Sequence, residues 1–192
     1  MELTKEFEVA FNFAMQYEVG AWNPNDPEVI AGLCETREQK KKVGYVNDPN
    51  DNGGETKYGI AVKSNPDCDI ISLTLEQAKQ IYFEKYWLAG SCDKLQTPLS
   101  ILHFDNCVNH GIGRANKFLQ QALSVDVDGQ LGKQTFNALA QANTFSVCDA
   151  ILSLREAFFK RIVEKNPTQV KFLKGWLARV NSIRSILSKW VA

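Results

Sequence analysis

Gly44-Tyr45-Val46-Asn47-Asp48-Pro49-Asn50-Asp51-Asn52-Gly53-Gly54-Glu55-Thr56-Lys57-Tyr58-Gly59-Ile60 concentrates three carboxylates, several amides and two tyrosines where no hydrophobic core could use them. Asparagine, aspartate, glycine and proline at this density make turns, not regular elements. Directly afterwards, Tyr58 to Val62 reads as a short strand, because aromatic and β-branched residues replace the turn formers. Only a small β element fits here, so helices elsewhere must supply the core.

Upstream, Phe7, Phe11, Ala14 and Glu18 follow one another at three- and four-residue steps, the spacing that lines one helix face. A helix over about residues 3 to 18 follows, with Gly20 as its stop signal. Glu18 thereby sits in the last turn, on the apolar side and at the carbonyl end of the helix dipole. Both features suit a proton donor, and paired with the polar loop they point to acid-assisted cleavage of a sugar chain. The plain alternative is a solvated glutamate that ends a helix.

Between these features lies a Pro-, Asn- and charge-rich stretch, about residues 21 to 43, that reads as an inserted loop free to cover the cleft. Its Lys40-Lys41-Lys42 run reads as a solvated face.

Helix follows helix after the loop. Thr74 with Gln77 resembles a capping box opening a helix that ends near Trp87, and Thr97-Pro98 opens another that runs to His110 and closes at Gly111. Ala115, Phe118, Leu119, Ala122 and Leu123 mark a third, Asp126-Val127-Asp128-Gly129 a turn, and Phe136 with Leu139 a fourth helix. Val147 to Ile162 and Phe172 to Trp190 carry the last two apolar stripes, which read as core. The fold class is mainly α, a helical bundle with a small β-hairpin element around the polar loop. We expect a catalytic lobe over residues 1–98 and a helical lobe over 99–192.

The 192 residues are 44% hydrophobic and 23% charged, enough for one or two packed lobes. Lysine plus arginine equals aspartate plus glutamate at 22 each, so no global field recruits nucleic acid or an anionic membrane. Neither a secretory leader nor a membrane-length apolar run is apparent. The five cysteines form no closely spaced pair, and reduced thiols in the cytoplasm, where the chain is made, are the default.

Three rival chemistries arise from spacing. Asp48, Asn50, Asn52 and Gly53 match the first half of an EF-hand loop, but Gly59 stands where the bidentate glutamate belongs. His103, Cys107 and His110 share a helix face and raise a zinc amidase, although three ligands on one straight helix rarely converge. Cys92 or Cys107 with a histidine would make a thiol peptidase. No metal or cofactor is the favoured reading.

Glu18-Val19-Gly20, then Gly44-Tyr45-Val46-Asn47-Asp48-Pro49 through Thr56, Tyr58, Gly59 and Ile60, resembles the hallmark of glycoside hydrolase family 108 muramidases. These are lysozyme-like proteins of phage endolysin type that include proteins labelled secretion activators. Phe104 to Gly111, Leu119 to Leu123, Asp128-Gly129 and Gly175-Trp176-Leu177 resemble their peptidoglycan-binding helical part. The resemblance implies hydrolysis of the β-1,4 bond between N-acetylmuramic acid and N-acetylglucosamine, with Glu18 as general acid and Asp51, or else Asp48, as second carboxylate. Thr56 would position water or the loop, Tyr45 and Tyr58 would stack on sugars, and Asn47, Asp105 and Asn109 would bond acetamido or hydroxyl groups, the last two lying one helical turn apart on a shared face. Peptidoglycan is the implied partner, reached from the cytoplasm through a holin or secretion apparatus. A non-catalytic wall-binding or secretion-assisting module is the competing reading.

Overall fold

The computed structural model describes residues 3–48 and 53–190, and the chain packs as two compact units, Met1–Lys85 and Tyr86–Ala192. In the first, helix α1 (Lys5–Glu18) starts where the Thr4 hydroxyl accepts a hydrogen bond from Phe7 N at 3.2 Å. It buries Phe7, Ala10, Phe11, Phe13, Ala14 and Met15. Its aromatic face meets Phe83, Tyr82 and Trp22 edge-on, with ring centroids 5.0 to 6.0 Å apart.

Residues 21–43 are not an open loop. They fold into two short helices, α2 (Pro27–Ala31) and α3 (Arg37–Lys42), and bury Val29 and Val43 completely. Asp26 caps α2 ahead of a proline at its first position, while Thr36 and Gln39 form a full capping box on α3. Lys42 clamps the pair, reaching Glu28 at 2.6 Å and Asp26 at 2.9 Å.

The β element is a two-stranded antiparallel hairpin, β1 (Thr56–Lys57) and β2 (Ile60–Ala61), extended by a bridge between Val46 and Thr56. The expected strand from Tyr58 is therefore shifted. Tyr58 and Gly59 form the turn itself, both with positive φ, at 51° and 73°, the pattern of a type I′ hairpin. Helix α4 (Leu75–Tyr82) begins at the expected Thr74–Gln77 box and continues as a π-helical stretch, Phe83–Leu88.

In Tyr86–Ala192, α5 (Leu99–His110) is the hub, burying every residue from Leu99 to Cys107. Around it pack α6 (Ile112–Ala122) and α8 (Thr144–Lys165), while α9 (Val170–Leu187) lies along α8. The intervening α7 (Lys133–Gln141) follows the Asp126–Gly129 turn, which Gln120 fastens through Gly129 N at 2.7 Å and Asp128 at 2.6 Å. Among the described residues no helix is long and apolar enough to cross a membrane.

Candidate active site

Glu18 is the last residue of α1 and is half-buried. Two glycines let the polar segment approach it. A Cβ placed on Gly59 would lie 3.3 Å from Glu18 Cβ and 3.5 Å from Glu18 Cγ, and one on Gly44 would lie 3.4 Å from the Glu18 carbonyl oxygen. The carboxyl-bearing side chain thus rests on the turn of the hairpin, three residues from Thr56.

The turn is held from beneath. The Tyr82 hydroxyl donates to the Tyr58 carbonyl at 3.0 Å and fills the space beside Gly59, 2.6 Å from where a side chain would start. Lys57, fully buried, donates to the carbonyls of Gly32 and Ile71, each at 2.6 Å. Burial lowers its pKa, and the two short bonds satisfy donors that would otherwise be stranded. The same contact fixes α2 to the hairpin.

Thr56 is half-buried and its hydroxyl donates to the Gly54 carbonyl at 3.1 Å, which steadies the loop that precedes it. Tyr45, also half-buried, donates to Glu55 at 2.7 Å, and the Lys40 ammonium stands 5.4 Å from its ring centroid. That bond to a carboxylate raises the phenol pKa. Glu55 is the residue here that spacing did not single out, because nothing local distinguishes it from the other loop carboxylates. Asn47 and Asp48 are exposed on the approach to the loop, whereas Asp51 lies outside the described residues.

Two expected sugar contacts are corrected by burial. Tyr58 is fully buried, donates its hydroxyl to the Val29 carbonyl and meets Trp22 edge-on, so its ring belongs to the core and has no free face. Burial also raises its pKa. Asp105 is fully buried between Arg155 and Arg179, the latter at 2.8 and 3.0 Å. Desolvation opposes its charge, but the two guanidiniums outweigh it and lower the pKa. Asn109 does share the face of Asp105, and that face turns inward: Asn109 accepts from Arg155 at 3.3 Å.

The zinc and thiol readings fare no better. His103 is fully buried, 3.1 Å from the Asn116 amide oxygen, whereas His110 packs among Phe118, Phe158 and Phe159. Among the described residues no three histidines, cysteines or acids gather suitably for a metal. Contact with Cys92, aided by the charge of His103, lowers the Cys107 pKa to about 5, yet Cys107 and Cys92 have no exposed surface through which to reach a substrate.

Charge is divided where the total concealed it. Tyr86–Ala192 holds thirteen of the 22 basic and seven of the 22 acidic residues, a net of +6, which leaves −6 in Met1–Lys85.

Residues 39–111 match the family model described as glycosyl hydrolase 108, and residues 114–181 match that described as predicted peptidoglycan domain. Glu18 precedes the first matched segment, which begins within α3, so that residues 19–38, with α2 among them, separate the two. Among solved structures the chain is similar to Brucella abortus SagA, at 29% identity and a TM-score of 0.64 over 76% of this chain and 86% of that one. No curated protein matches the sequence.

Proposed function

We propose that the chain, which matches glycosyl hydrolase 108 over residues 39–111 and a predicted peptidoglycan domain over residues 114–181, cleaves the β-1,4 bond between N-acetylmuramic acid and N-acetylglucosamine. Glu18 is the general acid in this reading. The observation that carries it is the seating of Glu18, at the end of α1, against the Gly59 turn of the hairpin.

From there Glu18 protonates the departing glycosidic oxygen, and a second carboxylate handles water or the developing cation on the ring. Asp51 takes that part, with Asp48 as the substitute. Thr56 orders the loop, Tyr45 offers the sugar-facing ring, and Asn47 bonds an acetamido or hydroxyl group. The +6 helical unit holds the wall, where the enzyme acts after passage through a holin or a secretion apparatus.

Glu18→Gln tests the reading, because it keeps the shape of the side chain and removes the proton. The variant is expected to fold and bind sacculi while releasing no new reducing ends, with the products of the unaltered chain identified by mass spectrometry. Undiminished release would reject Glu18 as the acid. Binding with no release by the unaltered chain itself would favour the wall-binding module instead.

A further inference from the structure

Two cysteines that hydrolysis does not use meet at one point of backbone. A Cβ added to Gly90 would lie 2.8 Å from Cys107 Sγ and 3.4 Å from Cys92 Sγ, so the sulfurs converge on a space that only glycine leaves open. Cys107 projects from α5, and Cys92 begins the 3-10 turn Cys92–Lys94. Both are fully buried free thiols in contact with each other, and Cys92 Sγ also makes a long bond, 3.8 Å, to the Tyr86 carbonyl. The other three cysteines stand elsewhere: Cys34 donates to the Ile71 carbonyl, Cys68 lies in the Asn65–Cys68 loop, and Cys148 sits in α8, where burial pushes its thiol up to about 12.

We propose that Cys92 and Cys107 are a disulfide-forming pair, reduced where the chain is synthesised and joined when it folds in an oxidising compartment. Since folding seals both thiols, the exchange takes place before packing is complete. The Cys107 thiolate attacks one sulfur of an external disulfide, either a protein dithiol oxidase in its disulfide form or oxidised glutathione, and expels a thiolate. Cys92, deprotonated, then attacks Cys107 in the mixed disulfide and expels the second thiolate. Two electrons pass to the oxidant, and the two protons lost by the cysteines end on its thiols. The bond ties the Cys92–Lys94 turn to the hub helix and restricts the unfolded chain, which raises stability.

The full chain is refolded from denaturant either in mixed oxidised and reduced glutathione or in dithiothreitol, then unfolded, alkylated and mapped by mass spectrometry. After oxidative refolding the peptides of Cys92 and Cys107 are expected to be linked, with Cys34, Cys68 and Cys148 alkylated. The linked chain is expected to melt several degrees above the reduced one, a difference that Cys92→Ala abolishes. Alkylation of all five cysteines, or a link to any other cysteine, overturns the proposal. The map is read on the unaltered chain, so a variant that fails to fold does not affect it. Nor does the outcome depend on whether the chain hydrolyses glycan.

Discussion

His110 shows how one residue's surroundings become a property of the protein. Its ring is packed among Phe118, Phe158 and Phe159 at 5.3 to 5.5 Å, and Nε2 is buried with no hydrogen-bond partner. Burial, reinforced by the nearby positive charge of Arg155, pushes its pKa down from 6.5 to about 3. Between those values the unfolded chain binds a proton that the folded chain refuses. Stability from this group is therefore complete above pH 6.5 and is lost as pH falls toward 3, at up to about 1.4 kcal/mol per pH unit. Phenylalanine matches the aromatic surroundings and cannot take up the proton. In urea titrations, His110→Phe is expected to lose less stability than the unaltered chain between pH 6.5 and 4, while both share the later loss from carboxylates such as Asp105, whose pKa is lowered by its arginines. Parallel acid limbs for the two proteins would show that His110 titrates normally.

At the scale of elements, the hairpin turn ties stability to the candidate chemistry. Gly59 has φ of 73°, and any Cβ there meets the Tyr82 hydroxyl at 2.6 Å and the Glu18 methylenes at 3.3 and 3.5 Å. Gly59→Ala is expected to cost roughly 1 to 3 kcal/mol through backbone strain. It is also expected to slow release of reducing ends by on the order of tenfold to a hundredfold, since small displacements of a reacting group are expensive. The comparison is made below the melting temperature, with folding followed by circular dichroism. A variant that is destabilised but fully active would mean that this turn does not position Glu18. The ends of α1 and α4 and the run of α5 were legible because caps and a three-to-four spacing are local signals. Helices α2 and α3, with five and six residues, are too short to display a period, although Asp26-Pro27 and Thr36 with Gln39 did mark their starts. Tyr58 misled because a turn with positive φ normally announces itself with asparagine, aspartate or glycine at that position. For Asp105 and Asn109 the period gave the shared face correctly. It could not say that arginines 50 and 74 residues away would fill it.

For the molecule as a whole, a net charge of zero conceals two units of opposite charge. An average over the chain excludes any general attraction to polyanions, yet Tyr86–Ala192 alone carries +6 while Met1–Lys85 carries −6. The positive unit is also the one that contains the predicted peptidoglycan match, at residues 114–181. Peptidoglycan carries free carboxylates on its stem peptides, and a positive unit is attracted to such groups while an acidic one adds no attraction of its own. Exposed charge pairing of that kind is screened as the Debye length shrinks from about 10 Å at 0.1 M to about 3 Å at 1 M salt. Glu18→Gln is the variant to use, because it is expected not to digest sacculi and so can be sedimented with them at equilibrium. Retention of that variant is expected to fall several-fold across this range. Amidation of the wall carboxylates at low salt is expected to produce the same loss. Retention that is indifferent to both treatments would place the affinity in apolar or neutral hydrogen-bonding contacts, and the division of charge would then have no part in holding the wall.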